Sequence, residues 1–128
     1  MSKENVELVR SILANWERGD YASVDWADPD IEFIAPLDNT RGIEELGRRW
    51  REFLAEWEHF ATTPERFIEL GEDRVLVLVH FKGRGRVSGA PVTDFSGGQL
   101  FTVRYGRVVR LVLYSTRDEA LEATGLAA

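Results

Sequence analysis

The chain has 128 residues with seven Phe, four Trp and three Tyr, which predicts a single domain over residues 1–128 with a sizeable core. Its net charge of −6 argues against a nucleic-acid partner, because phosphate binding needs clustered Lys and Arg. The absence of Cys excludes disulfides and thiolate metal sites. The longest apolar run, Val75 to Val79, is too short to span a membrane, and residues 1–5 lack an apolar signal core. We therefore expect a cytoplasmic protein with no membrane partner.

The first third of the chain predicts a helix followed by a strand. Apolar residues recur at helical spacing from Val6 to Trp16, and Gly19 ends that helix. Asp20 is expected to cap a short second helix that runs to Val24 or Asp25. Residues 31–35 alternate as a strand, and residues 36–42 are expected to form a loop.

A long amphipathic helix is predicted after this loop. Its apolar residues fall at i, i+4, i+7, i+8 and i+11 and form one broad stripe: Leu46, Trp50, Phe53, Leu54 and Trp57. His59 is expected at the C-terminal end of this helix, where a protonated imidazole interacts favourably with the helix dipole.

The second half of the chain predicts an antiparallel meander and a final helix. Strand patterns cover residues 65–70, 74–82, 86–94, 98–104 and 107–115, with turns at Gly71, Gly83, Gly85, Gly97 and Gly106. Tyr105-Gly106 fits a two-residue hairpin turn. Thr116 and Glu119 form a capping box that opens a helix ending at Gly125. The order of elements indicates an α+β fold with helices on one face of a bent sheet.

Alternation along the strands predicts which side chains face inward. The inward set is Val75, Val77, Val79, Phe81, Gln99, Phe101, Val103, Leu111 and Leu113. The opposite face carries His80 with Leu76 and Leu78, and Leu100 with Thr102 and Arg104, which are expected to meet solvent or a partner. Because Leu76, Leu78 and Val112 would expose apolar surface there, we expect a homodimer through the outer face of the sheet.

Several short motifs occur in an order and spacing that resemble a known family. They are Trp26-Ala27-Asp28-Pro29-Asp30-Ile31-Glu32-Phe33, Arg41-Gly42-Ile43-Glu44-Glu45-Leu46, Gly83-Arg84-Gly85, Ser88-Gly89, Tyr105-Gly106-Arg107-Val108-Val109 and Glu119-Ala120-Leu121-Glu122-Ala123-Thr124-Gly125-Leu126. Together they cover nearly the whole chain and resemble the SnoaL-like branch of the nuclear transport factor 2-like superfamily, which has the ketosteroid isomerase and polyketide cyclase fold. Its members include cyclases, isomerases, epoxide hydrolases, dehydratases and non-catalytic binding modules.

The resemblance implies a cystatin-like roll, in which a cone-shaped, curved, mixed or antiparallel sheet wraps around helices and encloses an apolar pocket. The residues expected to line this pocket are Trp16, Trp26, Phe33, Trp50, Leu54, Trp57, Gln99, Phe101, Val103 and Leu113. Such a pocket suits a small apolar cyclic ligand and requires no cofactor. Gln99 is the expected orienting group, with help from the indole N–H of Trp16 or Trp26.

The isomerase branch of this family can be compared position by position. Its general base would align with Ala35, its helix-one Tyr with Ile12, and its late-strand Asp with Gln99. Alanine cannot act as a base, and glutamine can donate a hydrogen bond but cannot accept a proton. The isomerase interpretation therefore lacks two of its three groups.

Other catalytic interpretations stay open at this stage. The acidic candidates are Glu32, Asp38 and Asp94, each of which also fits a solvated surface carboxylate. His80 follows an apolar run on the outward face, and His59 lies far from it in sequence, so no metal-ligand spacing is present. The hypotheses are a binding protein, an acid–base enzyme of cyclase, isomerase or dehydratase type, and a non-catalytic dimerisation or regulatory module with a filled cavity.

Overall fold

The computed structural model describes residues 2–21, 24–35, 38–55, 57–85 and 91–126. Within these residues, the chain forms three helices and six strands. Their order is α1 (Ser2–Glu17), β1 (Ala27–Ala35), β2 (Asp38–Arg41), α2 (Ile43–Ala55), β3 (Trp57–Leu70), β4 (Arg74–Gly85), β5 (Pro91–Arg104), β6 (Arg107–Tyr114) and α3 (Arg117–Ala123).

The strands form one mixed sheet in the order β2-β1-β6-β5-β4-β3. β3 to β6 pair as an antiparallel meander, whereas β1 lies parallel to β6 and antiparallel to β2. Register irregularities interrupt several ladders, for example between Pro64 and Arg66 in β3 and between Phe81 and Gly83 in β4. Because such irregularities bend a strand, they help the sheet to curve around the helices. The predicted α+β class is confirmed.

The main core lies between the inner face of the sheet and α1. From α1 it takes Val9, Ile12, Leu13 and Trp16, all almost fully buried. The inward face predicted for the strands is confirmed, because the residues that join this core are Val75, Val77, Val79, Phe81, Phe101, Val103, Leu111 and Leu113. Fully burying each large aliphatic side chain contributes roughly 1.5–3 kcal/mol.

α3 packs on the opposite face of the sheet, which corrects the prediction that all helices share one face. Ala120 forms a second core cluster with Leu76, Leu78 and Leu100. These three leucines are at most 8% exposed, so the expectation that the outer face exposes them was wrong. The predicted cap fixes the start of α3, because the Thr116 hydroxyl accepts a hydrogen bond from the Glu119 backbone N–H at 3.1 Å.

Strand pairing overrides several local predictions. α2 ends at Ala55, and Trp57 begins β3 by pairing with Gly85, so Trp57 does not continue the helix. β3 passes through Pro64 because it is an edge strand, where a missing N–H is tolerated. Residues 38–41, expected in a loop, form β2. The described residues between α1 and β1 are not helical, and residues 22–23 of the helix expected after Asp20 lie outside the described part of the chain.

Three predicted glycine turns, at Gly83, Gly85 and Gly97, are strand positions instead. Gly83 and Arg84 of β4 pair with Val92 and Pro91 of β5, and β5 continues through Gly97 as a single strand. The two strands expected over 86–94 and 98–104 are therefore one strand from residue 91 onward. Residues 86–90, including the Ser88-Gly89 motif, lie outside the described residues.

The Tyr105-Gly106 turn is confirmed, because Arg104 pairs with Arg107 and both turn residues have positive φ. Within the described residues, no helix is long and apolar enough to cross a membrane.

Candidate functional site

A cavity of about 370 Å³ lies between the sheet, α2 and the C-terminal end of α1. The position of the cavity follows from the fold, because the inward strand faces and the apolar side of α2 converge there. Most of its lining is apolar. The lining residues are Trp16, Tyr21, Phe33, Ala35, Arg49, Trp50, Phe53, Leu54, Phe60, Thr62, Phe81, Gln99, Leu113, Tyr114 and Ser115.

The aromatic rings of this lining pack on one another around Trp16. The ring centroid of Trp16 lies 4.9 Å from that of Trp50 at a steep angle and 5.8 Å from that of Tyr21 in a stacked arrangement. Phe60 extends the aromatic wall by stacking on Phe81 at 5.9 Å. Mutual packing of this kind holds the walls in fixed orientations and presents flat apolar surface to the interior.

Six of the ten residues expected in the pocket line this cavity: Trp16, Phe33, Trp50, Leu54, Gln99 and Leu113. Trp26, Phe101 and Val103 do not line it but are buried in the core, where Trp26 and Phe101 pack against Trp16. Trp57 lies at the start of β3 rather than on α2, and its side chain is outside the described part of the structure. Alternation and helical spacing predict the facing of a residue, but not its depth.

Tyr21 and Thr62 contribute a polar pair that the sequence analysis missed. Their hydroxyl oxygens lie 3.0 Å apart, across 41 residues of sequence. Burial raises the pKa of the Tyr21 hydroxyl, and hydrogen bonding with Thr62 partly opposes this rise. The one available signal was that Tyr21 lies two residues beyond Gly19, the predicted end of α1, and close to Trp16 in sequence.

Gln99 and Arg49 are further polar residues of the lining. Gln99 is only 4% exposed, and its amide oxygen has no hydrogen-bond partner among the described residues. The guanidinium of Arg49 lies 3.4 Å from a carboxylate oxygen of Glu45, one turn earlier on α2. An unpaired buried amide oxygen is costly, by about 1–3 kcal/mol, which makes Gln99 a candidate contact for a bound molecule.

The two positions that align with the isomerase base and with its helix-one Tyr lie in different parts of the structure. Ala35 lines the cavity, whereas Ile12 is 1% exposed and belongs to the core beneath it. Neither residue offers a polar group. The chain therefore carries apolar side chains at the aligned positions of the base and of the helix-one donor.

The acid and base candidates do not assemble into a catalytic set within the described residues. Glu32 forms ion pairs with Arg41 and Arg110, away from the inward side chain of Phe33. His80 lies on the outer face, with Nδ1 3.3 Å from the Ser96 hydroxyl. The side chains of Asp38, Asp94 and His59 lie outside the described part. No carboxylate or histidine occurs in the described lining of the cavity.

A wider groove of about 860 Å³ adjoins the cavity on the outside of α2. Tyr21, Trp50 and Leu54 line both spaces, so these three side chains form the partition between them. The groove carries charged residues such as Asp20, Glu44 and Arg51, whereas the cavity is mostly aromatic. Apolar ring compounds are therefore better matched by the cavity.

Among the described residues, no cluster of three or more His, Asp or Glu side chains could hold a metal ion.

Comparison with known families identifies the relationship that this architecture suggests. The model of the SnoaL-like domain family matches residues 9–111, which is most of the chain. The chain belongs to the SnoaL-like domain family. No curated protein sequence matches the chain.

Solved structures show the same fold at low sequence identity. An NTF2-like protein of unknown function from Burkholderia pseudomallei K96243 is 20% identical with a TM-score of 0.79, covering 93% of this chain and 95% of that one. TerC, co-crystallised with polyporic acid, is 18% identical with a TM-score of 0.76, covering 95% and 98%. A protein from Catenulispora acidiphila DSM 44928 with a ketosteroid isomerase-like fold, in complex with trimethylamine, is 17% identical with a TM-score of 0.72, covering 94% of each chain.

Proposed function

We propose that this SnoaL-like chain, as one domain over residues 1–128, binds a small apolar cyclic compound in the cavity between α2 and the sheet. The observation that carries the proposal is the space of about 370 Å³ lined mostly by aromatic and aliphatic side chains. A volume within the usual range of small-molecule sites, with a few fixed polar groups, suits a ring compound that buries most of its surface. The polyporic acid in TerC is consistent with this chemistry.

Two further functions receive less support. An acid–base enzyme needs a proton acceptor near the substrate, and the described lining offers no carboxylate or histidine. A module with a filled cavity does not fit the unoccupied volume among the described residues. Binding therefore leads, and acid–base catalysis is the alternative.

Filling the cavity tests the proposal. In Ala35→Leu, the longer side chain projects from β1 into the space that a ligand would occupy. We expect naphthalene, used as an apolar bicyclic probe, to bind the unmodified protein and to bind this variant about tenfold more weakly, a difference of about 1.4 kcal/mol. NMR chemical-shift titration measures both affinities.

Ala55→Leu is the matched control, because Ala55 is an exposed residue at the end of α2 and does not line the cavity. Its naphthalene affinity should equal that of the unmodified protein. Equal affinities in all three proteins, or no binding to any of them, would contradict a ligand site in this cavity.

We also propose that two copies pair through the outer face of the sheet, over a smaller surface than the sequence suggested. α3 covers Leu76 and Leu78, which leaves the β1–β6 side of that face. There Val112 is half-buried at the edge of the second core cluster, and Glu32 pairs with Arg110 across the two strands. A strip that mixes apolar and charged side chains is typical of the rim of a protein–protein interface.

A further inference from the structure

The hydrogen bond between the hydroxyl groups of Tyr21 and Thr62 gives information about the chemistry of a ligand in the cavity. Both residues line the cavity, but Thr62 is 1% exposed, whereas Tyr21 is half-buried. The Tyr21 oxygen lies 3.0 Å from the Thr62 hydroxyl oxygen. This contact is the one hydrogen bond of the Tyr21 hydroxyl among the described residues.

The number of hydrogens on the two hydroxyl groups shows which residue has a hydrogen still available for donation. Each hydroxyl has one hydrogen and two acceptor positions. Among the described residues, the Thr62 hydroxyl has one hydrogen-bond partner, Tyr21, and either oxygen could be the donor by geometry. Because Thr62 is almost fully buried, donation from Thr62 to the Tyr21 oxygen is the arrangement that satisfies its hydrogen. The hydrogen of Tyr21 has no acceptor among the described residues.

We infer that Tyr21 donates this hydrogen to an acceptor oxygen of the bound molecule, so that the site prefers apolar ring compounds bearing a carbonyl group. This inference rests on the proposed function, because it names the chemistry of the ligand in the same cavity. Tyr21 is thus a specificity-determining residue, and Thr62 is the positioning residue that fixes its hydroxyl.

The surroundings of Tyr21 support this assignment. Burial raises the pKa of its hydroxyl, so the group stays protonated and able to donate at neutral pH. Its ring stacks on Trp16 and meets Trp50 edge-on, with centroids 5.8 Å away in both cases. The described lining holds no carboxylate that would compete for the hydrogen. Donation from the Thr62 hydroxyl also polarises the Tyr21 hydroxyl and strengthens its own donation.

Two probes of nearly equal shape test the inference. 2-Acetylnaphthalene has a carbonyl oxygen where 2-isopropenylnaphthalene has a CH₂ group. We expect the unmodified protein to bind the ketone about tenfold more tightly than the alkene, as one hydrogen bond allows. Tyr21→Phe should abolish this preference by weakening ketone binding alone. Thr62→Val should reduce it by a smaller factor, because Tyr21 keeps its hydrogen.

The ratio of the two dissociation constants distinguishes hydrogen-bond donation by Tyr21 from a purely structural role. A loosened cavity would weaken the binding of both probes by a similar factor and leave the ratio unchanged. Affinities come from NMR titration, and the dispersion of the same spectra shows that each variant is folded. A ratio that is unchanged in Tyr21→Phe, or absent in the unmodified protein, overturns the inference while the cavity remains a ligand site. Failure of both probes to bind the unmodified protein contradicts the proposed function instead.

Discussion

At the residue scale, individual side chains show how a local preference is kept or overridden. Tyr105 is fully exposed and has φ of 53°, a conformation that side chains other than Gly, Asn and Asp adopt at a cost. It keeps that conformation because the two-residue turn between β5 and β6 requires positive φ at both central positions. The hairpin therefore imposes strain on a residue whose side chain has no apolar environment.

Replacing Tyr105 with Asn should relieve this strain. Asn enters the left-handed region more readily, and Asn-Gly is the favoured sequence for this kind of turn. We expect Tyr105→Asn to raise the free energy of unfolding by about 0.5–1 kcal/mol, measured by urea denaturation. Tyr105→Phe serves as the control and should leave stability unchanged. A destabilised Asn variant would show that the Tyr105 ring makes a contribution of its own.

At the element scale, α3 shows how a short helix depends on the sheet beneath it. An added Cβ at Gly98 would lie 2.4 Å from the Cβ of Ala120, which is closer than two carbon atoms can approach. The helix thus rests directly on the β5 backbone, where it covers Leu76 and Leu100. A seven-residue helix has too few hydrogen bonds to be stable alone, so this packing holds it in place.

The contact between Gly98 and Ala120 predicts a coupled pair of substitutions. Gly98→Ala should lower the free energy of unfolding by roughly 1–3 kcal/mol, because overpacking pushes α3 away from the sheet. Ala120→Gly removes the opposing methyl group, at about 1 kcal/mol of helix propensity. The double variant should be more stable than the sum of the single losses, as measured by urea denaturation in a double-mutant cycle. Strict additivity would mean that the two residues do not meet.

At the scale of the whole molecule, the two faces of the sheet have different roles. The inner face and α1 form the main core and leave the cavity beside α2, while the outer face is partly covered by α3. The apolar groups that suggested a homodimer are therefore largely satisfied within one chain. The proposed pairing of two chains uses the β1–β6 side near Val112.

Sedimentation equilibrium at micromolar concentration tests this pairing. We expect the unmodified protein to sediment with twice the mass of one chain. Val112→Glu should shift the population to monomer, because it places a charge in the interface beside Glu32. Ala55→Glu adds the same charge at the exposed end of α2 and should leave the dimer intact. A monomeric unmodified protein would refute the proposal.

The sequence by itself determined the class of fold, the facing of the strands and the family. These properties depend on periodicity, turn residues and caps, which act over a few neighbouring residues: the alternation from Val75 to Phe81, the Tyr105-Gly106 turn and the Thr116 cap all hold in the structure. Six of the ten expected pocket residues line the cavity, because facing could be predicted from spacing.

Only the tertiary structure decided the depth of each inward residue, the end of α2, the face that α3 covers and the place of Tyr21 in the cavity. Trp26, Phe101 and Val103 face inward but lie in the core, and Trp57 follows its pairing partner Gly85 into β3. The hydrogen bond between the hydroxyl groups of Tyr21 and Thr62 joins residues 41 positions apart in the sequence. Such contacts depend on how distant segments pack together, and no local pattern in the sequence records that packing.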